Sequence, residues 1–155
     1  MDIKKLANSY ARKYNTRDPF EIIDNLNAIV VFYPLHGVRG FYQYFQRNNI
    51  IYIDDKLSDK EKQFVCAHEM GHMLLHELGH MFLHKKANAI FMDSRTQLNT
   101  AKYEIEADRF AINLLVTDNE LRDYTDITVS QLSRALGYQE YLIRLRFKDY
   151  ATKQM

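Results

Sequence analysis

Two histidines four residues apart, with a glutamate after the first, can build a metal-dependent hydrolytic site. This sequence carries that spacing twice in succession. Residues 68–72 read His-Glu-Met-Gly-His and residues 76–80 read His-Glu-Leu-Gly-His, within the tandem blocks HEMGHMLL and HELGHMFL, and His84 follows. On a helix, residues four apart lie on one face, one turn above the other. Both imidazoles of a copy can therefore meet on one zinc ion. The intervening glutamate points to the same side but stays off the metal, where it can take a proton from a water that the ion has acidified.

A catalytic zinc needs a third protein ligand and one open position. The segment Tyr103-Glu104-Ile105-Glu106-Ala107-Asp108 supplies acids. Glu104 and Asp108 are four apart and share a helical stripe with Ala107 and Ala111, at the border of an apolar face. Carboxylates placed there need a partner, because an unpaired charge is costly to bury. Glu104 is thus expected to ligate together with His68 and His72, and Asp108 to orient a ligating histidine from outside. Glu106 lies ~200° round the helix from Glu104, at ~100° per residue, and is expected in solvent. The bland alternative is a pair of surface acids. Tyr103 is close enough in sequence to be noted as a possible polar group at the site.

The two copies cannot both use Glu104 in one arrangement, since eight residues move a site ~12 Å along a helix and ~80° around it. The first copy, with Glu69 as general base, is favoured. It leaves Phe64, Val65 and Ala67 on the core side and places the surplus length in the helix end and the following loop, where doubling a loop costs only ~0.6 kcal/mol. The second register, with His76 and His80 as ligands and Glu77 as base, stays open.

The positioning elements read as α+β. Apolar residues at helical spacing predict a helix over 2–15. Asp18-Pro19-Phe20-Glu21 starts a short second helix. Residues 29–33, 41–46 and 49–53 read as strands, with a hairpin turn at Arg47-Asn48, and suggest a small, mostly antiparallel sheet. Ser58-Asp59-Lys60-Glu61 opens the long helix carrying the first motif copy. Residues 85–100 read as loop and 101–116 as helix. Thr117-Asp118-Asn119-Glu120 and Thr128-Val129-Ser130-Gln131 each start another helix, Gly137 ends the second of these, and residues 138–150 form the last. One domain over residues 1–155 is expected, with 128–150 a helical hairpin belonging to it.

The charge balance, 21 basic against 20 acidic residues, gives a net charge of +1 and no global field for nucleic acid or anionic lipid. The single cysteine, Cys66, allows no intrachain disulfide and reads as a small buried helix residue. No apolar stretch suits a signal peptide or a membrane span, so a cytoplasmic location is expected. Residues 128–138 resemble the first helix and turn of a helix-turn-helix, and Arg144, Arg146 and Lys148 on the next helix could meet phosphates. Tyr141, Leu142, Leu145 and Phe147 use much of that helix for packing, which disfavours nucleic acid and favours a partner-docking face that includes Arg144 and Arg146.

Together, residues 64–76 (Phe64 through His76), the run Glu104-Ile105-Glu106-Ala107-Asp108-Arg109-Phe110-Ala111-Ile112-Asn113-Leu114-Leu115, the Asn15-Thr16-Arg17-Asp18-Pro19-Phe20-Glu21-Ile22 segment and Gly40-Phe41-Tyr42 resemble the ImmA/IrrE family of metallopeptidases. The likeness extends over nearly the whole chain. It implies a zincin-like fold and a zinc-dependent endopeptidase cleaving a repressor-type regulator, often of a phage or mobile element. The second HExxH block departs from that family's pattern. Two other functions therefore remain in view: a non-catalytic metal-binding regulator, and a DNA- or partner-binding protein acting through the C-terminal segment.

Overall fold

Five helices begin where a short polar side chain accepts a hydrogen bond from the first turn and so satisfies one of its unpaired N–H groups. Asp2 accepts from Lys5, Asp18 from Phe20, Ser58 from Glu61, Thr117 from Glu120 and Thr128 from Gln131. At Thr128 the Gln131 side chain returns the bond to the Thr128 backbone, completing a capping box. The computed structural model describes residues 1–76 and 94–154, with side chains described for 1–76 and 101–150. In chain order the elements are α1 (Ile3–Tyr14), α2 (Pro19–Asn25), β1 (Ile29–Tyr33), β2 (Gly40–Phe45), β3 (Asn48–Asp54), α3 (Asp59–Leu75), α4 (Ser94–Leu115), α5 (Asp118–Arg122), α6 (Val129–Leu136) and α7 (Glu140–Gln154).

The class is α+β, and the sheet is mixed, in the order β1-β3-β2. β2 and β3 are antiparallel, with Tyr42 opposite Ile51, while β1 runs parallel to β3, with Val31 opposite Tyr52. The second pairing follows from connectivity. The loop after β1 carries the chain past the central position, which the returning arm of the hairpin then fills. The hairpin turn is Gln46-Arg47, one residue earlier than Arg47-Asn48, and both residues have positive φ (49° and 65°). Two such residues match the twist of the flanking strands even without glycine.

Ile51 and Ile53 on β3 and Tyr42 on β2 are fully buried, and α3 covers them with Val65, Cys66 and Met70. Gly40 permits this approach: a Cβ there would lie 2.5 Å from the Val65 side chain and 2.7 Å from the Tyr52 carbonyl oxygen. A second apolar cluster joins Ile112, Val116, Leu121, Leu132, Leu142, Ile143 and Leu145, and Phe64 packs against both clusters.

Two further expectations are corrected. Helix α4 begins at Ser94 rather than near residue 101. Its first turns, Arg95-Thr96-Gln97-Leu98-Asn99-Thr100, carry no apolar stripe, so periodicity could not reveal them. Arg146, grouped with Arg144 as an exposed docking charge or phosphate contact, is 1% exposed. Its guanidinium meets Asp118 at 2.5 Å and the Val116 carbonyl at 2.8 Å, so it closes the end of α4 from inside. Arg144 is exposed and pairs with Glu140 one turn away. Arg17 also donates to the Asn113 and Leu114 carbonyls at the α4 terminus. Among the described residues, no helix is long and apolar enough to cross a membrane.

Burial alone would raise the Asp118 pKa, but hydrogen bonds from Arg146 and Lys4 outweigh it and hold the carboxyl below the usual aspartate range. A depressed folded-state pKa contributes stability above the unfolded value and loses it as pH falls through the folded one. Asp118→Ala, which leaves Arg146 buried without its carboxylate, is expected to cost about 2–3 kcal/mol at neutral pH. In chemical denaturation the gap to wild type should narrow once pH drops below about 4.

Candidate metal centre

The Ser58 cap fixes the start of α3, and the helix then presents His68 and His72 on the face turned to α4. The two helices can approach there because position 71 is glycine. A Cβ on Gly71 would stand 3.2 Å from the Ala107 Cα, the Ala107 carbonyl oxygen and the Phe110 Cβ. Across this contact, His72 Nε2 lies 2.8 Å from Glu104 Oε1 and His68 Nε2 lies 3.1 Å from Glu104 Oε2. The two Nε2 atoms are 3.2 Å apart. His68 turns its other nitrogen, Nδ1, to Asp108 Oδ1 at 2.8 Å.

This donor set fits a zinc ion. Ligands at ~2.0–2.1 Å in tetrahedral geometry stand ~3.3 Å from one another, close to the separations found here. His68, His72 and Glu104 each offer one ligand atom within 4.8 Å of the others. Asp108 sits where an outer carboxylate would fix the orientation of a ligating histidine. Glu69 is 6% exposed and lines a cleft of about 260 Å³ with His68, Glu104, Asp108, Arg39, Gly40, Phe64 and Val65.

His76 caps the C-terminus of α3, outside helical geometry, and is buried. Its Nδ1 lies 3.1 Å from His72 Nδ1 and its Nε2 lies 3.1 Å from Glu106 Oε2. Glu106 is therefore not simply in solvent: His76, at the C-cap of α3, reaches it. The Tyr103 ring packs on His76, with centroids 4.4 Å apart. The remaining residues of the second register, Glu77 and His80, lie outside the described residues, as does His84. The contacts of His76 and Glu106 were missed in the sequence. The one available signal was the continued four-residue spacing of His68, His72 and His76.

The electrostatics follow from this crowding. Burial lowers the His68 pKa, but the hydrogen bonds to Asp108 and Glu104 more than reverse that and raise it to about 10. Burial likewise opposes ionisation of Glu104, yet the two histidines hold its carboxyl far below the usual range. Burial pushes the Glu69 carboxyl up, against the pull of His68 and His72. Burial also lowers His76 and so favours its neutral form, against the pull of Glu106. A proton and a metal ion thus compete for the same convergent lone pairs.

Residues 24–137 match the family model described as the IrrE N-terminal-like domain. The chain belongs to the ImmA/IrrE family of metallopeptidases. It is 36% identical over 147 residues to "Uncharacterized immunity region protein 2" of Bacillus phage phi105, a match covering 93% of this chain and 88% of that one. It is also 29% identical over 123 residues to "Metallopeptidase ImmA" of Bacillus subtilis (strain 168), covering 78% of this chain and 67% of the relative. Membership in this family implies a metal ion, and the group formed by His68, His72 and Glu104 could hold one.

The close approach at position 71 is open to test. Gly71→Val forces side-chain bulk against helix backbone that cannot rotate away. Unfolding should show a loss of about 1–3 kcal/mol by overpacking. Because α3 must move off α4, metal-ion affinity should fall as well. Unchanged affinity would mean that the spacing of these helices does not govern the donor set.

Proposed function

We propose that the protein is a cytoplasmic, zinc-dependent endopeptidase of one domain, residues 1–155, that cleaves a repressor-type regulatory protein of a phage or mobile element. The observation that carries the catalytic part is the convergence of His68, His72 and Glu104 across the α3–α4 contact, with Glu69 in the same cleft. The regulatory part rests on the relatives, one named for a phage immunity region and one a metallopeptidase.

In this scheme His68, His72 and Glu104 hold the ion. A zinc ion held there would supply Lewis-acid chemistry, lowering the pKa of a water molecule and polarising the scissile carbonyl. Glu69, buried in the same cleft, would accept the proton of that water and deliver it to the departing amine, and its burial raises its carboxyl pKa above the ordinary value. Asp108 accepts from His68 Nδ1–H, which keeps the Nε2 lone pair on the metal side. The first register is supported by the approach of His68 and His72 to Glu104, with Glu69 in the same cleft.

Glu69→Gln should retain zinc and lose roughly 10²–10⁴-fold in cleavage rate, because an amide cannot accept the proton. Glu77→Gln should be nearly silent. Metal analysis paired with a cleavage assay on candidate repressor-type regulatory proteins would check both. A silent Glu69→Gln together with an inactive Glu77→Gln would move the site to the second register. A wild-type protein that binds zinc and the repressor but never cuts it would leave a metal-binding regulator instead.

A further inference from the structure

His72 has two ring nitrogens and one neutral-state proton, so what faces its Nδ1 decides how well its Nε2 can serve as a ligand. Nε2 faces His68 and Glu104, and Nδ1 faces away from them, toward His76. Resting on the reading of His72 as a metal ligand, we infer that His76 and Glu106 form a hydrogen-bonded relay that positions His72 and sets its tautomer.

Along the contacts from His72 to His76 to Glu106, the donors and acceptors match in one order. When Nε2 of His72 holds a metal ion, the ring proton sits on Nδ1 and must be donated. Among the described residues, Nδ1 of His76 stands within reach as an acceptor, at 3.1 Å. His76 can accept there only with its own proton on Nε2, and that proton points at the Glu106 carboxylate, also at 3.1 Å. The opposite order would set the bare Nε2 of His76 against a carboxylate oxygen, two acceptors facing each other. Glu106 thus selects the tautomer of His76, and His76 selects that of His72. Both rings are about 5% exposed or less, so water competes poorly for these bonds. The Tyr103 ring against His76 restricts rotation of the imidazole, and Lys102, 4.0 Å from Glu106 Oε1, leaves Oε2 to the histidine.

The relay parallels the direct contact of Asp108 with His68. Each histidine is backed by a carboxylate, the first in contact and the second through an intervening imidazole. His76, the first histidine of the repeated block, then serves the first copy of the motif as a positioning residue.

The test is the Zn²⁺ affinity of the full chain at neutral pH, measured by competition with a chromophoric chelator. His76→Leu fills the space but neither accepts nor donates, and should weaken zinc binding ~10–100-fold. His76→Gln restores both functions, its amide oxygen accepting from His72 and its NH2 donating to Glu106, and should come within about threefold of wild type. Glu106→Leu changes a side chain 26% exposed and should weaken binding by roughly several-fold. Wild-type affinity in His76→Leu or Glu106→Leu would overturn the relay. So would equal weakening in His76→Leu and His76→Gln, which would reduce His76 to a packing role. His72→Leu is the control for the underlying reading. If it binds zinc as wild type does, His72 is not a ligand and the metal-centre assignment itself has failed.

Discussion

The distance between α3 and α4 is the constraint on which the site depends. Four groups from two helices must meet within a few ångströms: His68 and His72 from one, Glu104 and Asp108 from the other. Short side chains can span the gap only if the backbones nearly touch. Gly71 against Ala107 and Phe110 provides that contact, and the fully buried Ala107 and Ala111 continue the small-residue seam. The rest of the fold holds the two helices in this relation. The sheet supports α3 through Val65, Cys66 and Met70, while α1 and the C-terminal helices pack around α4.

The acids on α4 are distributed by this geometry. Glu104 faces both Nε2 atoms, Asp108 takes the outer nitrogen of His68, and Glu106 takes the outer nitrogen of His76. A straight helix would put Glu106 well away from Glu104, and it does point elsewhere. Its direction still meets a histidine, because His76 follows His72 at the C-cap of α3. Three carboxylates within five residues would repel one another on an isolated helix. Here each faces an imidazole.

Much of this was legible in the sequence because it rests on local rules. Asp18, Ser58, Thr117 and Thr128 announce helix starts through their own hydrogen bonds, and Gly137 announces an end through its positive φ. The stripe shared by Glu104, Ala107, Asp108 and Ala111 required only the helical period. The failures lie where tertiary contacts override local signals. Arg146 looks like a surface cation beside Arg144 and Lys148, but Asp118 and the end of α4 draw it into the interior. The parallel pairing of β1 with β3 depends on which strand fills the centre of the sheet, and alternation of side chains does not encode that.

Helix geometry also limits what a tandem HExxH can do. Successive histidines four residues apart drift by ~40° and rise by ~6 Å. Adjacent members of the run can touch, but the first and third are separated by ~12 Å of rise and cannot share an ion. His72 in the middle has a neighbour on each side, with Nε2 toward His68 and Nδ1 toward His76. A third histidine in such a run is therefore placed to support the second before it can ligate anything itself. Its effect then depends on the group beyond it. A carboxylate there, as Glu106 provides, aligns the protons toward the acid and strengthens the donor at the other end. An apolar residue would leave the tautomers free.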